Sequence, residues 1–540
     1  MNPIQSLKIF PHLKFVLAWS YLNILINLNY PQSEPALWAP LVPSPEVWAL
    51  LVILCVLIML GLRFQPALYL PLMAILILCR MFRIGEVLVP MYLNRAFSLY
   101  MDTRHVPDLL HLLYHSFSMP VLLLYGLGSV TLAVVLVWGI WRALQVLHVY
   151  FTVRRYRHHF LLSTFGIGII LAGFSASGFG QGSLLESKLF YHRFVEELDF
   201  IRQVHSVTPR GLQALQLKPE PLGPITSPMQ KLNGTPVYLF IIESYGHTVY
   251  ADPRHFHYFQ PMVTELEEML QAQGFEVCSN YLRSPTYGGE SWLAFSTLES
   301  GVRVDNQLAY THLLNSAVQP VARYFNQAGY RTVSVMPGTS YPWPEGAFFG
   351  YQQTYYAWDF NYQGPPFGWS TMPDQFVLDT IFRRELMDAQ QPIFVRYMLT
   401  SSHAAFNQQP PYVADWSQLG DGAIYNTLES IRFPSVRHDL SNATEAYMTA
   451  VTYVFSVLKA YLEQFLQGPA LIIIVGDHQP NVQITGSTAS WSVPIHVISR
   501  QQSLLEPFVQ GGYTLGWVPY QQHHRGMETF LPDFVAAFSR

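Results

Sequence analysis

Three apolar runs end in side chains that could hold a metal ion or steer a phosphoryl group. LIIIVGDHQP (471–480) has the pattern of a buried strand and stops abruptly at Gly476, Asp477 and His478. PVYLFIIES (236–244) ends in Glu243, and PIFVRYMLTSSH (392–403) ends in His403. Glu, Asp and His together suit a divalent ion such as Mn²⁺ or Zn²⁺. A hydroxyl for such an ion to activate lies in SPTYGGESWLAFSTLESG (284–301), where Gly288 and Gly289 make a sharp turn and Ser291 opens an apolar-periodic helix. A helix N-terminus favours an incoming phosphate, and a metal would lower the hydroxyl's pKa. Each residue also has a plainer role: Glu243 or Ser291 as a helix cap, His403 as a core histidine. An unpaired Asp at the tip of a buried strand is costly, and the four features together favour chemistry.

The elements that must position them alternate. PVYLFIIES, YRTVSVMPG (330–338), PIFVRYMLTSSH and PALIIIVGDH (469–478) read as buried parallel strands, with VPIHVISR (493–500) a weaker fifth. Helical patterns at 259–274, 316–329 and 444–468 each end in Gly. This alternation predicts a mostly parallel sheet covered on both faces, with ligands bound beyond the carboxyl ends of the strands. Glu243, His403 and Asp477-His478 then share one edge.

The N-terminal third is of another kind. The 540 residues are 50% hydrophobic and only 12% charged, about half the usual charged share. Five apolar stretches, about 13–30, 46–62, 66–82, 120–142 and 160–178, have lengths near that of a membrane span. The first lacks a small-residue cleavage site and reads as a retained anchor. Arg142, Arg154, Arg155 and Arg157 form the strongest basic cluster and belong inside, which puts everything after about 180 outside. The loop 83–119, which holds Arg83, Arg95 and Arg104, would also be external, and LLHLLYHSF (109–117) reads as a short interfacial helix. No charge lies in the middle of a span, so an anchor is favoured over a transport path. The expected organisation is a five-helix transmembrane domain (1–182), a connector helix and Pro-rich linker (183–231), and an extracytoplasmic domain (232–540). The net charge of −4 argues against nucleic acid. With three cysteines, of which only Cys278 lies in the polar half, no disulfide framework forms there and no structural zinc cluster is spelled out.

A strand ending in Glu, a Ser or Thr at a helix start, a strand ending in Ser-His and a late Gly-Asp-His resembles the membrane-anchored branch of the alkaline phosphatase/sulfatase superfamily. That branch includes lipoteichoic acid synthases, phosphoglycerol transferases acting on periplasmic glucans, and phosphoethanolamine transferases. The resemblance implies an α/β sandwich domain of alkaline-phosphatase type after five spans, in a bacterial cytoplasmic (inner) membrane, with the catalytic domain on the periplasmic side. It implies one divalent ion on Glu243, Ser291, Asp477 and His478, with Ser291 as nucleophile. Thr286 and Ser284 are rival nucleophiles; Ser291 is preferred because the helix it opens ends at Ser300-Gly301. His403 maps to the residue that meets substrate phosphate, and Trp343 in SYPWPEG to a pocket aromatic.

The implied reaction moves a phosphoglycerol or phosphoethanolamine headgroup from a membrane phospholipid, through a phosphoserine, to a glycan or glycolipid acceptor. A phosphodiester or sulfate ester hydrolase, or a non-catalytic membrane sensor or scaffold, are the alternatives. Several features depart from the pattern. Pro344 and Glu345 stand where lipoteichoic acid synthases carry an Arg, and the nucleophile motif lacks the formylglycine-forming Cys of sulfatases. No second metal set is evident, although His523 and His524 in HHRG (523–526) stand near the C-terminus.

Overall fold

A computed structural model describes residues 3–28, 44–61, 66–103, 106, 119–176, 190–206, 225, 227–340, 343–433, 443–520 and 524–540. The stretch 109–117, most of the 183–231 connector and His523 lie outside the described residues. The chain forms two compact units, one of residues 1–90 and 96–206, the other of residues 91–95 and 207–540.

The first unit is helical. Its main helices are α1 (Pro3–Asn27), α2 (Pro45–Met59), α3 (Pro66–Leu93), α4 (Met119–Thr152), α5 (Arg154–Ala176) and α6 (Phe190–Ser206). The described parts of the five apolar stretches are helical, in α1 to α5. Among the described residues, only α4 is both long and apolar enough to cross a membrane. Its N-terminal half exposes Leu123, Leu127, Val130 and Val134, whereas Ile140, Leu144, Leu147 and Phe151 pack into the unit's core with Leu22, Leu51 and Leu54. Such a belt of bare aliphatic side chains suits lipid better than water. The loop expected from residue 83 is instead a continuation of α3 to Leu93. Its charges do not break the helix because they are paired: buried Arg83 lies 3.5 Å from both Glu46 and Glu86, and Glu86 also holds Arg193 at 3.1 Å.

The second unit is built on a nine-stranded mixed sheet. Its strands are β1 (Val237–Ile242), β2 (Glu276–Arg283), β3 (Arg331–Met336), β4 (Gln353–Tyr356), β5 (Ile393–Leu399), β6 (Leu471–Gly476), β7 (Ser492–Ser499), β8 (Thr514–Leu515) and β9 (Arg525–Gly526). The order is β8-β2-β7-β6-β1-β5-β3-β4, with β9 beside β2. The run β6-β1-β5-β3-β4 is parallel, whereas β7 is antiparallel to both β6 and β2. The strand at 493–500 thus exists but runs against the expected direction.

Helices cover both faces. One core packs α7 (Pro253–Ala272), α11 (Asp374–Ile381) and α12 (Thr444–Phe465) on the sheet. The other packs α8 (Ser291–Ser300), α10 (Val321–Gln327), α13 (Gln502–Gln510) and α14 (Phe530–Phe538); α9 (Gln307–Leu314) lies beside α8. Burying β1 and β6 on both faces explains why they read as unbroken apolar runs.

A buried ion pair pins α8 to the sheet. Arg396 of β5 and Glu299 of α8 are fully buried and meet at 2.7 Å. Tyr351 donates to Glu299 (2.9 Å), Arg396 donates to Ser334, and the guanidinium lies over the Phe295 and Tyr351 rings. Burial pushes the Glu299 carboxyl up, and Arg396 opposes that shift. Arg396→Leu would strand Glu299 and is expected to cost about 3–5 kcal/mol, with much of this regained in Arg396→Leu/Glu299→Leu. Unfolding midpoints of the two variants in detergent check this.

Candidate metal and phosphoryl-transfer site

The site follows from strand register. β1 and β6 are adjacent and parallel with Ile242 opposite Gly476, so the next residues, Glu243 and Asp477, emerge side by side. On the other flank Ile242 pairs with Leu399, and the β5 chain continues through Thr400 to His403. Gly476 is required because the turn after β1 passes directly over it: a Cβ there would run into the Tyr245 carbonyl. Gly288 (φ 70°), Glu290 (φ 63°) and Gly301 (φ 68°) all adopt left-handed backbone, which sets the entry and exit of α8.

Glu243, Asp477 and His478 are buried, and one ligand atom from each lies within 4.8 Å of the others. Ser291, the first residue of α8, joins them. Its Oγ donates to Glu243 Oε2 at 3.1 Å and lies 3.2 Å from His478 Nε2. His478 Nδ1 is engaged with the Gln479 carbonyl at 2.8 Å, which leaves Nε2 facing the group. His478 Nε2 is 3.4 Å from Glu243 Oε1 and 3.5 Å from Asp477 Oδ2. Asp477 Oδ1 accepts the Ser244 and His478 N–H groups at 2.8 and 2.6 Å, but Oδ2, buried, accepts no hydrogen bond among the described residues. A carboxylate oxygen with no hydrogen bond, beside a second carboxylate and an imidazole nitrogen turned toward both, is what a divalent cation would satisfy, and the donor set fits Mn²⁺ or Zn²⁺.

The charges are held uneasily. Burial, reinforced by Glu243, raises the Asp477 pKa to about 7, against the pull of His478 and the Ser244 N–H. Burial alone would lower the His478 imidazole, but Asp477 and Glu243 outweigh it and raise it. Asp374, fully buried at the start of α11, is raised to about 6 by burial. It accepts the Thr400 and Ser401 N–H groups at 2.9 and 3.1 Å, and so shapes the chain leading to His403. Sequence reasoning missed Asp374, because a Pro-Asp pair before an apolar run signals only a helix start.

The other anticipated residues fall as follows. His403 is part-buried, its Nδ1 engaged with the Ala404 carbonyl at 2.5 Å and its ring stacked on Trp369 at 3.9 Å and 11°. Burial lowers its pKa to about 4. Thr286 is buried with its hydroxyl unpaired among the described residues, so no hydrogen bond of that hydroxyl joins it to Glu243, Asp477 or His478. Ser284 Oγ is committed to the Asp477 carbonyl at 2.6 Å, where it braces the turn. Trp343 is not joined to the metal-competent trio; it packs against Phe295 and Phe349 and donates to Tyr310 Oη at 3.3 Å. His524 bonds Ser492 Oγ at 2.6 Å and stacks near Tyr281 and His247.

Residues 290–531 match the sulfatase family. No curated protein matches the chain. Similar solved structures include the lipoteichoic acid synthase LtaP from Listeria monocytogenes, 14% identical over 49% of this chain and 65% of that one, with a TM-score of 0.36. The chain thus spans just under two thirds of that protein. The phosphoglycerol transferase GacH from Streptococcus pyogenes, in complex with sn-glycerol-1-phosphate, is 12% identical over 55% of this chain and 75% of that one, with a TM-score of 0.35. The integral membrane lipooligosaccharide phosphoethanolamine transferase A (EptA) from Neisseria meningitidis is 12% identical over 97% and 96%, with a TM-score of 0.48. At identities and TM-scores this low, none of them assigns a substrate.

Asp374 and Asp477 titrate near 3.8 when unfolded, and folded without metal they hold their protons to about pH 6 and 7. Their contribution to the stability of the metal-free protein is therefore complete below about pH 4 and is lost as pH rises toward 7. Metal must displace the Asp477 proton, so its affinity is expected to rise with pH over the same window. Unfolding midpoints with chelator and with Mn²⁺ or Zn²⁺, scanned from about pH 4 to 8, check both signs. A midpoint that climbs with pH in chelator would contradict them.

Proposed function

We propose, from the match of residues 290–531 to the sulfatase family and from the site's geometry, that this protein is a membrane-anchored, metal-dependent phosphotransferase of the alkaline phosphatase/sulfatase superfamily. The donor would be a phospholipid carrying a phosphoglycerol or phosphoethanolamine headgroup, and the acceptor an extracytoplasmic glycan or glycolipid. One observation carries the reading: a serine hydroxyl at a helix N-terminus lies within hydrogen-bond reach of both a carboxylate and an imidazole of a metal-competent trio. A divalent ion bound by Glu243, Asp477, His478 and Ser291 would supply Lewis-acid polarisation and offset negative charge on the phosphoryl oxygens.

The chain's own residues do the rest. Ser291 Oγ attacks phosphorus, the bond from phosphorus to the diacylglycerol oxygen breaks, and the serine proton has an acceptor in Glu243 Oε2. Diacylglycerol leaves as the alcohol once it gains a proton. The N-terminus of α8 faces the developing charge. His403, with Nδ1 engaged and its ring clamped by Trp369, offers Nε2 to the transferring group. In the second half, an acceptor hydroxyl forms a new O–P bond, the Oγ–P bond breaks and Ser291 regains its proton. The serine at this position, in place of an oxidisable cysteine, favours phosphate over sulfate esters. The exposed aliphatic belt of α4 supports an anchor in the bilayer that holds the donor, which raises the donor's effective concentration. The basic cluster at Arg154, Arg155 and Arg157 favours an extracytoplasmic catalytic unit in an inner membrane.

Protein incubated with Mn²⁺ or Zn²⁺ and a mixture of phosphatidylglycerol and phosphatidylethanolamine, then acid-quenched, should carry a phosphoglycerol or phosphoethanolamine mass on the Ser291 peptide. Ser291→Ala should lose the adduct and at least about 10³-fold in turnover. An adduct on Thr286 would relocate the nucleophile. No adduct despite bound metal would overturn the donor class.

Turnover also separates transfer from hydrolysis. Donor consumption should stall after one equivalent without a glycan acceptor and resume when one is added. Full turnover in water alone would make the protein a hydrolase.

A further inference from the structure

At the C-terminal edge of β3 and β4 lies a cleft of about 250 Å³ lined by Trp358, Asn361, Tyr362, Gln363, Thr371 and Met372. We propose that this cleft is the acceptor subsite and that it binds a neutral saccharide ring; this rests on the transferase reading above. The volume is slightly below that of a typical small-molecule pocket, which suits one ring.

The chemistry of the lining selects the ligand. Among the described residues no charged side chain lines it, which disfavours a phosphate, a carboxylate or an ammonium group. Trp358 is 49% exposed, an unusual state for so large an aromatic, yet it is held in place by stacking on Tyr356 at 4.7 Å and 25°. A fixed, half-bare indole offers an apolar face at little entropic cost, and the C–H face of a pyranose ring is its natural complement. Around it, the Asn361 amide nitrogen and the Trp358 indole N–H make no hydrogen bond within the described structure, while Gln363 donates to the Asn361 carbonyl at 3.1 Å. These groups can meet ring hydroxyls. Asn361 adopts left-handed backbone (φ 52°), which closes the short helical turn bearing Trp358 and sets both residues at the cleft.

Connection to the reacting centre runs through one short segment. Thr371 lines the cleft and is tied by its hydroxyl to the Pro337 carbonyl at 2.6 Å, just past β3. Two residues earlier, Trp369 stacks on His403 and packs against Gly338, where a Cβ would come within 2.9 Å of the indole. A sugar in the cleft would sit on one side of this segment and the transferring phosphoryl group near its other side.

The full-length protein in nanodiscs would be examined by saturation-transfer NMR with maltose, cellobiose and chitobiose as probes. Wild type and Ser291→Ala should both saturate ring C–H protons of at least one probe. Trp358→Ala should weaken that binding by about tenfold, and Trp358→Phe should retain most of it. With an oligosaccharide acceptor, Trp358→Ala should raise the acceptor KM by a similar factor and leave the Ser291 adduct unchanged. If no probe binds wild type, or if Trp358→Ala binds as wild type does, the subsite is elsewhere. Trp358-dependent binding with no adduct on any residue would leave a saccharide site standing and remove the transferase reading; an adduct without Trp358-dependent binding would do the reverse.

Discussion

Two carboxylates forced together by strand register govern this molecule. Because β1 and β6 run parallel with Ile242 opposite Gly476, Glu243 and Asp477 leave the sheet as neighbours, out of reach of bulk water. The backbone offers two N–H groups to Asp477 Oδ1, and among the described residues Oδ2 accepts no hydrogen bond. Only a proton or a cation can complete such an arrangement. The surrounding parts are consistent with a cation: an imidazole whose far nitrogen is occupied, a serine hydroxyl at a helix start, and a glycine that lets one turn cross over another strand.

The serine is brought there by a different kind of force. The ten-residue helix α8 has Ser291 at one end and Glu299 near the other. Glu299 is locked to Arg396 in the middle of β5, and the strand that carries Arg396 also leads to His403. A single buried ion pair thus couples the positions of the hydroxyl and the histidine. Such pairs seldom add net stability over an apolar replacement. Retaining one here is understandable if its value lies in orientation.

Much of this was legible in the sequence, because the parallel strands β1, β3, β5 and β6 are buried on both faces and announce themselves as apolar runs with reactive tips. Strand direction was not legible. VPIHVISR has the same composition whether it runs with or against its neighbours, and EVCSNYLR, with polar residues at Glu276, Ser279, Asn280 and Arg283, carries no apolar run at all. The helix beyond residue 83 was hidden for a related reason: Arg83 and Glu86 look like loop charges until Glu46 and Arg193 are brought to them through space. The contacts of Asp374 and Trp369 near the candidate site were invisible because they depend on Thr400, Ser401 and His403, which are adjacent only after folding.

The length of α8 has a consequence for how such a protein can diverge. Ten residues of helix form a rigid rod of about 15 Å, and its far end rests in a packed core with Phe295, Tyr351 and Phe394 nearby. Displacement at that end is delivered almost undiminished to the hydroxyl. A change in where the Ser291 hydroxyl points need not arise at the site itself. It can begin among the aromatic residues beneath the helix, where a lost methyl group or a tilted ring re-aims the serine while Glu243, Asp477 and His478 stay the same.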